Sequence, residues 1–106
     1  MDKALRRLKN DAADARCRGR HKRALAIYHE LEAREPSDGS WSTRAAGIYR
    51  RMGENSAAIA ALERAHEKYL RAGFLSKAIA SYQIILQIDP NHMGARACLR
   101  GLGQRR

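Results

Sequence analysis

A chain of 106 residues is long enough for one domain and too short for two. Good helix formers dominate it, Val is absent and Phe occurs once, so the composition excludes a fold built mainly on β-strands. The formal net charge of +10 favours acidic partners, and no apolar run is long enough to span a membrane.

Features of the N-terminus and of the cysteines predict where the protein resides. Cys17 and Cys98 lie far apart and follow no metal-ligand spacing, which is typical of reduced thiols in a cytosolic protein. The first ten residues carry positive charges without an apolar stretch after them, so no secretory signal is expected in them. We therefore expect a cytoplasmic protein, and the abundance of Ala and Arg hints at a GC-rich bacterial genome.

Glycines and prolines divide the chain into helical segments. Gly19, Gly53 and Gly73 each follow an amphipathic basic stretch, and a glycine just past a helix end often adopts the left-handed conformation that ends it. Pro36 and Pro90 stand in the turn sequences EPSD and IDPN. Because every connection is short, consecutive helices should pack antiparallel. The predicted helices span 2–17, 21–34, 40–52, 55–71, 75–88 and 92–102.

Residues of matching type recur at a fixed offset of 34 residues. The repeated pairs are Ala12 and Ala46, Gly19 and Gly53, and Ala24 and Ala58. A period of this length is the signature of stacked helical repeats. The small residues should let helices approach closely, and large ones should fill the gaps between them. The expected gap-filling side chains are Tyr28, Tyr82, Trp41, Ile27, Ile79 and Leu86.

At these positions the sequence resembles the tetratricopeptide repeat (TPR) family, whose 34-residue unit is a helix hairpin. Three sets of residues carry the resemblance. They are Ala12, Gly19, Ala24, Tyr28, Leu31 and Pro36; then Trp41, Ala46, Tyr49, Gly53, Ala58, Leu62 and Ala65; then Tyr69, Gly73, Ala78, Tyr82, Ile85 and Pro90. The resemblance implies an all-α fold of antiparallel hairpins stacked into a short right-handed superhelix of about six helices.

The third set departs from the regular period, since it follows the second by 20 residues. The segment 55–71 should therefore be the second helix of one unit and the first helix of the next. Leu70 replaces the last Pro of the second unit, and His66 stands where the family has a small residue. The packing of 55–71 against 75–88 should consequently be unusual. The expected organisation is one domain, 1–106, with overlapping repeats at about 5–38, 39–72 and 59–92 and a capping helix at about 92–102.

The resemblance places a binding surface on the concave side of the array, where the first helix of each unit lines a groove. The predicted groove residues are Arg6, Lys9, Ala13 and Arg16 from the first helix, and Thr43, Arg44, Gly47, Arg50 and Arg51 from the third. Guanidinium groups can bind carboxylates through two hydrogen bonds. We therefore expect an adaptor or scaffold whose basic concave groove binds an acidic or extended segment of a partner protein. A solvated basic face, with cations favoured near helix C-termini, stays an open alternative.

Other functions are supported less well by the sequence. Some TPR domains clamp the C-terminal carboxylate of a chaperone, but Ala13 and Arg44 stand where that clamp needs Asn. His29 and His66 each precede Glu without a second His four residues on, and no glycine-rich phosphate loop is present. We therefore expect no enzyme, no cofactor and no metal site.

A basic nucleic-acid-binding module is the main alternative, because the run RCRGRHKR, residues 16–23, could contact phosphates. Against it, most aromatic residues fall at packing positions and few are left to stack on bases. Membrane binding is not expected, since no helix pairs a basic face with an exposed bulky apolar one. So small an array should either associate with itself through an end face or belong to a larger polypeptide or complex.

Overall fold

The computed structural model describes residues 2–104, with the side chains of residues 2–101, and this part of the chain consists of six α-helices without a strand. They are α1 (Lys3–Cys17), α2 (His21–Arg34), α3 (Gly39–Arg51), α4 (Asn55–Arg71), α5 (Leu75–Ile88) and α6 (Met93–Gln104). The all-α prediction is confirmed, and each helix end lies within two residues of its expected place.

Three of the connections are built alike around a glycine. Gly19, Gly53 and Gly73 have φ angles of 71°, 77° and 85°, in the left-handed region that residues with a Cβ rarely adopt. In each turn the glycine N–H donates to the carbonyl three residues back, and the next N–H donates to the carbonyl five residues back. The turn after α4 thus has the same form as the turns after α1 and α3. This likeness supports the interpretation of α4 as a shared helix, although the repeat boundaries stay a prediction.

The connections after α2 and α5 share a second form. The N–H of Glu35 donates to the carbonyl of Leu31, and that of Asp89 donates to the carbonyl of Ile85, each at 2.8 Å. A proline follows in both cases and cannot continue the helix. Since consecutive helices run in opposite directions, the α1–α2 and α3–α4 turns lie at one edge of the array. The α2–α3 and α4–α5 connections lie at the opposite edge.

Alanine forms most of the core. The fully buried alanines are Ala12, Ala15, Ala24, Ala45, Ala46, Ala58, Ala61, Ala65, Ala78 and Ala95, each at most 1% exposed. Methyl side chains allow helices to approach closely, and larger side chains fill the spaces between them. The large hydrophobic side chains that are fully buried are Tyr28, Leu31, Ile48, Leu62 and Ile85. The predicted burial of Ala24 and Ala58 is confirmed, and the resulting slab measures 46 × 31 × 17 Å.

His66 shows how α4 and α5 pack without the small residue of the repeat pattern. Its imidazole lies flat on the ring of Tyr82, with centroids 3.6 Å apart and an interplanar angle of 9°. Its Nδ1 donates to the carbonyl oxygen of Ala78 at 2.8 Å, because a carbonyl can only accept. A small residue at position 66 would let α4 and α5 approach closely. The stacked and hydrogen-bonded ring of His66 fills the space between these two helices instead. Extensive contacts join α4 to both α3 and α5.

Candidate functional site

A cleft of about 270 Å³ lies between α1 and α3, above α2. Its lining residues are Lys9, Ala12, Ala13 and Arg16 from α1, Tyr28 from α2, and Trp41 and Arg44 from α3. Tyr28 is 1% exposed and forms the floor of the cleft. Ala12 and Ala13 have short side chains, so α1 projects little into the cleft at these positions. The cleft therefore has an apolar base, and its three charged side chains are all cations.

Trp41 is the central side chain of the cleft. Its indole stacks with the ring of Tyr28, the centroids being 6.3 Å apart. The Nζ of Lys9 and the Cζ of Arg44 lie 5.5 Å and 5.8 Å from the centroid of Trp41, within the range of a cation–π contact. One aromatic surface thus gathers cations from two helices. Only a packing role was predicted for Trp41, although its place one turn before Arg44 indicates this second role.

Glu35 ties the α2–α3 connection to the cleft. Its Oε1 accepts a hydrogen bond from Trp41 Nε1 at 2.9 Å and lies 3.4 Å from the Nζ of Lys9. The charge of Lys9 is therefore partly neutralised within the protein. Neither Arg16 nor Arg44 pairs with a carboxylate in the part of the chain that the structure describes. Any capacity to bind an outside carboxylate consequently rests mainly on the two arginines.

The structure brings four of the predicted groove residues together around this cleft, and they are Lys9, Ala13, Arg16 and Arg44. Arg6 is exposed on α1, nearer its N-terminus. Gly47, Arg50 and Arg51 are exposed farther along α3, toward its C-terminus. These four residues do not line the cleft, so the predicted groove is longer than the cavity itself.

Thr43 faces away from α1. Its hydroxyl donates to the carbonyl oxygen of Gly39 at 3.1 Å and lies 3.3 Å from the hydroxyl of Tyr69 on α4. Tyr69 packs so closely there that a Cβ on Gly39 would lie 3.0 Å from its ring. Thr43 therefore helps to join α3 to α4 and does not line the cleft with α1.

A larger cavity, of about 650 Å³, lies between the α2–α3 connection and the α4–α5 turn. Its aromatic side chains are Tyr69 and Phe74, and the Nζ of Lys77 lies 5.7 Å and 5.1 Å from their centroids. Glu35 and Asp38 also line it. Lys77 thus already makes the cation–π contacts that these two rings could offer to a cationic ligand. The sequence did not predict this cavity, because much of its lining comes from the two connections, which carry no periodic pattern.

A polar cluster joins α2, α3 and α4. The Oε1 of Glu32 accepts hydrogen bonds from Ser42 Oγ at 2.6 Å, Arg64 Nε at 3.1 Å and Lys68 Nζ at 3.2 Å. Burial of the carboxyl pushes the pKa of Glu32 upward, but hydrogen bonds from Arg64, Ser42 and Lys68 outweigh it and lower the pKa from 4.5 to about 2. Such an ionised, fully hydrogen-bonded carboxylate fixes how the three helices meet.

No group of three or more His, Cys, Asp and Glu side chains among residues 2–101 is placed to hold a metal ion. No helix in the described part of the chain combines the length and the apolar character needed to cross a membrane.

Comparison with known proteins shows the fold. No protein-family model matches the sequence, and no curated protein matches it. The first TPR domain of Spaghetti (RPAP3), solved with the HSP90 peptide SRMEEVD, is similar with a TM-score of 0.51 and 20% identity, over 95% of this chain and 91% of that one. The TPR domain of P58(IPK) is similar with a TM-score of 0.56 and 17% identity, over 95% of this chain and 32% of that one. The predicted TPR fold is thereby confirmed.

Proposed function

We propose that this chain, which has the fold of a TPR domain, is a protein-interaction adaptor that binds an acidic or extended segment of a partner in the basic groove between α1 and α3. One observation carries the proposal: cations from both helices converge on Trp41, and Arg16 and Arg44 have no carboxylate partner among the described residues. An adaptor of this kind needs no catalytic group, no cofactor and no metal.

The geometry favours a segment that carries both a carboxylate and an apolar side chain. Arg16 and Arg44 can each donate two parallel hydrogen bonds to a carboxylate. Trp41 and Ala13 offer an apolar surface next to them. Because the cleft lies between two parallel helices, an extended segment can run along it and reach the exposed arginines at the end of α3.

The similar RPAP3 domain supports a protein partner, because it was solved with a peptide whose sequence, SRMEEVD, contains three acidic residues. For the present chain we propose acidic segments in general and not that peptide. Ala13 and Arg44 both line the cleft, at positions where the chaperone clamp has Asn. A guanidinium in place of an amide adds charge and so broadens the choice of acidic ligands.

We further propose that the protein acts in the cytoplasm, where the free thiols of Cys17 and Cys98 would stay reduced. Self-association through an end face stays a prediction. Leu70 and Leu75, 51% and 54% exposed, border an apolar cavity of about 350 Å³ at the α4–α6 end of the array.

The proposal is tested with short fluorescent peptides that combine two or three Asp or Glu residues with one apolar residue, measured by anisotropy. The variant Arg16→Ser with Arg44→Ser should bind about tenfold more weakly or worse, since hydrogen bonds to charged groups contribute about 1.5–3 kcal/mol each. Binding should also weaken as salt is raised. The matched control is Arg96→Ser with Arg100→Ser, which removes the same charge from the exposed face of α6. Equal losses in both variants, or no peptide bound by the parent, would refute the groove.

A further inference from the structure

A dense basic surface lies beside the cleft, where α1 turns into α2, and shares Arg16 with it. This surface, which we call the basic edge, comprises Arg18, Arg20, Lys22 and Arg23, together with Arg16, Arg50 and Arg51 at the ends of α1 and α3. All of these side chains are exposed except Arg16, which is partly buried. The fold gathers them because the α1–α2 and α3–α4 turns lie at the same edge of the array.

Little of this charge is neutralised within the protein. Arg18 pairs with Asp14, its Nε lying 2.8 Å from Oδ1. None of the other basic-edge residues pairs with a carboxylate in the described part of the chain. The two turns consist of residues 18–20 and 52–54, and the acidic residue among them is Glu54. The basic edge therefore presents a concentrated positive potential to solvent.

Helix electrostatics explain only part of the basic edge. Cations near the C-terminal ends of α1 and α3, such as Arg16 and Arg50, interact favourably with the helix dipole. Arg20, Lys22 and Arg23 lie at the start of α2, where the dipole disfavours positive charge and the first turn has no acidic residue. By contrast, α1 and α3 begin with hydrogen-bonding aspartate caps. The helix dipole therefore does not explain the cations at the start of α2.

We infer that the basic edge is a second binding surface, which takes the phosphate backbone of nucleic acid without preference for sequence. Phosphate oxygens complement exposed Arg and Lys side chains, and such contacts carry no base information. Residues 16–23 and 50–54 contain no Phe, Tyr or Trp, so phosphate contacts rather than aromatic platforms characterise this surface. The inference goes beyond the peptide groove and stands without it.

The structure favours nucleic acid over an anionic membrane surface. Binding at a membrane surface normally adds bulky apolar side chains, inserted between lipids, to the basic residues. The exposed large hydrophobic side chains of the described residues are Leu70, Phe74, Leu75 and Met93. All of them belong to α4, α5, α6 and the turn between α4 and α5, so none accompanies the basic edge.

The test reverses two charges that belong to the basic edge and not to the predicted groove, in the variant Lys22→Glu with Arg23→Glu. The fold should tolerate the change, because acidic residues suit the first turn of α2. The matched control, Arg96→Glu with Arg100→Glu on α6, changes the net charge by the same amount. The probes are a labelled DNA strand of about 20 nucleotides and its duplex, long enough to offer many phosphates.

The parent should bind both probes with an affinity that falls steeply as salt rises. The basic-edge variant should lose two phosphate contacts. The magnitude of its slope of log affinity against log salt concentration should therefore be smaller than that of the parent by about 2. We expect affinity to fall about tenfold or more in the basic-edge variant, and by less than about threefold in the control. Circular dichroism should show the same helix content in all three proteins.

Three results would overturn the inference. They are no binding of either probe by the parent, equal losses in the variant and the control, and binding to phosphatidylserine vesicles without binding to DNA. Anisotropy with the acidic peptides on the same proteins separates the two surfaces. The basic-edge variant should still bind those peptides if the groove binds them, while the Arg16→Ser, Arg44→Ser protein is the one expected to lose them.

Discussion

Glu32 is the acidic residue on which α2, α3 and α4 converge, and its side chain is only 11% exposed. Arg64 and Lys68 of α4 and Ser42 of α3 donate hydrogen bonds to its carboxylate. Removing one partner from such a cluster costs more than the pair contributes, because the other charges are left without compensation. Glu32 should therefore matter more to stability than the exposed ion pairs of the same helix.

We expect Glu32→Gln to lower the free energy of unfolding at neutral pH by about 1–3 kcal/mol. The effect should depend on pH, because the folded-state pKa of Glu32 lies near 2 and below its ordinary value of 4.5. The carboxylate contributes its stability in full above about pH 4.5 and loses it as pH falls through about 2. Since Arg64 is 42% exposed, solvent screens its interaction with Glu32, so the loss should lie in the lower part of that range.

Urea unfolding of the parent and of Glu32→Gln at a series of pH values measures this difference. The gap between the two proteins should shrink as the solution is acidified. Glu30→Gln is the control, because Glu30 pairs with Arg34 on the exposed face of the same helix and should cost only a few tenths of a kcal/mol. A gap that is constant with pH, or equal costs for the two variants, would contradict the role assigned to Glu32.

At the scale of elements, α2 shows how alanines set the packing of the array. Ala24 is 0% exposed where α2 meets its neighbours, whereas Ala26, two residues on, faces solvent. A well-packed core has no room for added methylene groups, so a larger side chain must displace a helix or adopt a poor rotamer. The same substitution at the two alanines therefore distinguishes the buried face from the exposed face.

Ala24→Leu should destabilise the protein by about 1–3 kcal/mol through overpacking. Ala26→Leu should change stability by less than about 0.5 kcal/mol, since the site is on the surface and Leu is a good helix former. Thermal unfolding followed by circular dichroism compares the two variants with the parent. Similar melting temperatures for both variants would mean that Ala24 does not lie at a tight helix contact.

The helices could be predicted from the sequence because their ends are encoded locally. A glycine in the left-handed conformation closes α1, α3 and α4, as the positions of Gly19, Gly53 and Gly73 indicated. The cleft was predicted less completely, because its geometry depends on contacts between helices. Thr43 shares the helix of Arg44 yet bonds toward α4, and the link from Glu35 to Trp41 crosses a connection without a periodic pattern.

At the scale of the whole molecule, stability should be distributed unevenly along the array. Among the residues that the structure describes, contacts between consecutive helices are most extensive between α3 and α4 and fewest between α5 and α6. In repeat proteins each element is stabilised by its neighbours alone, so an end element with few contacts opens at low cost. The start of α6 is held by His92, whose Nδ1 accepts a hydrogen bond from the N–H of Ala95 at 3.1 Å.

Amide hydrogen exchange followed by mass spectrometry should therefore be slowest in α3 and α4 and fastest in α6. His92→Ala removes the side chain that caps α6, and loss of a helix cap costs about 0.5–2 kcal/mol. It also removes the contact of His92 Nε2 with Glu63 Oε2, which lie 3.3 Å apart and join the start of α6 to α4. Exchange in α6 should consequently become several-fold faster in this variant, while exchange in α3 stays as in the parent. Equal rates in all six helices, or faster exchange everywhere in His92→Ala, would show instead that the array opens as one cooperative unit.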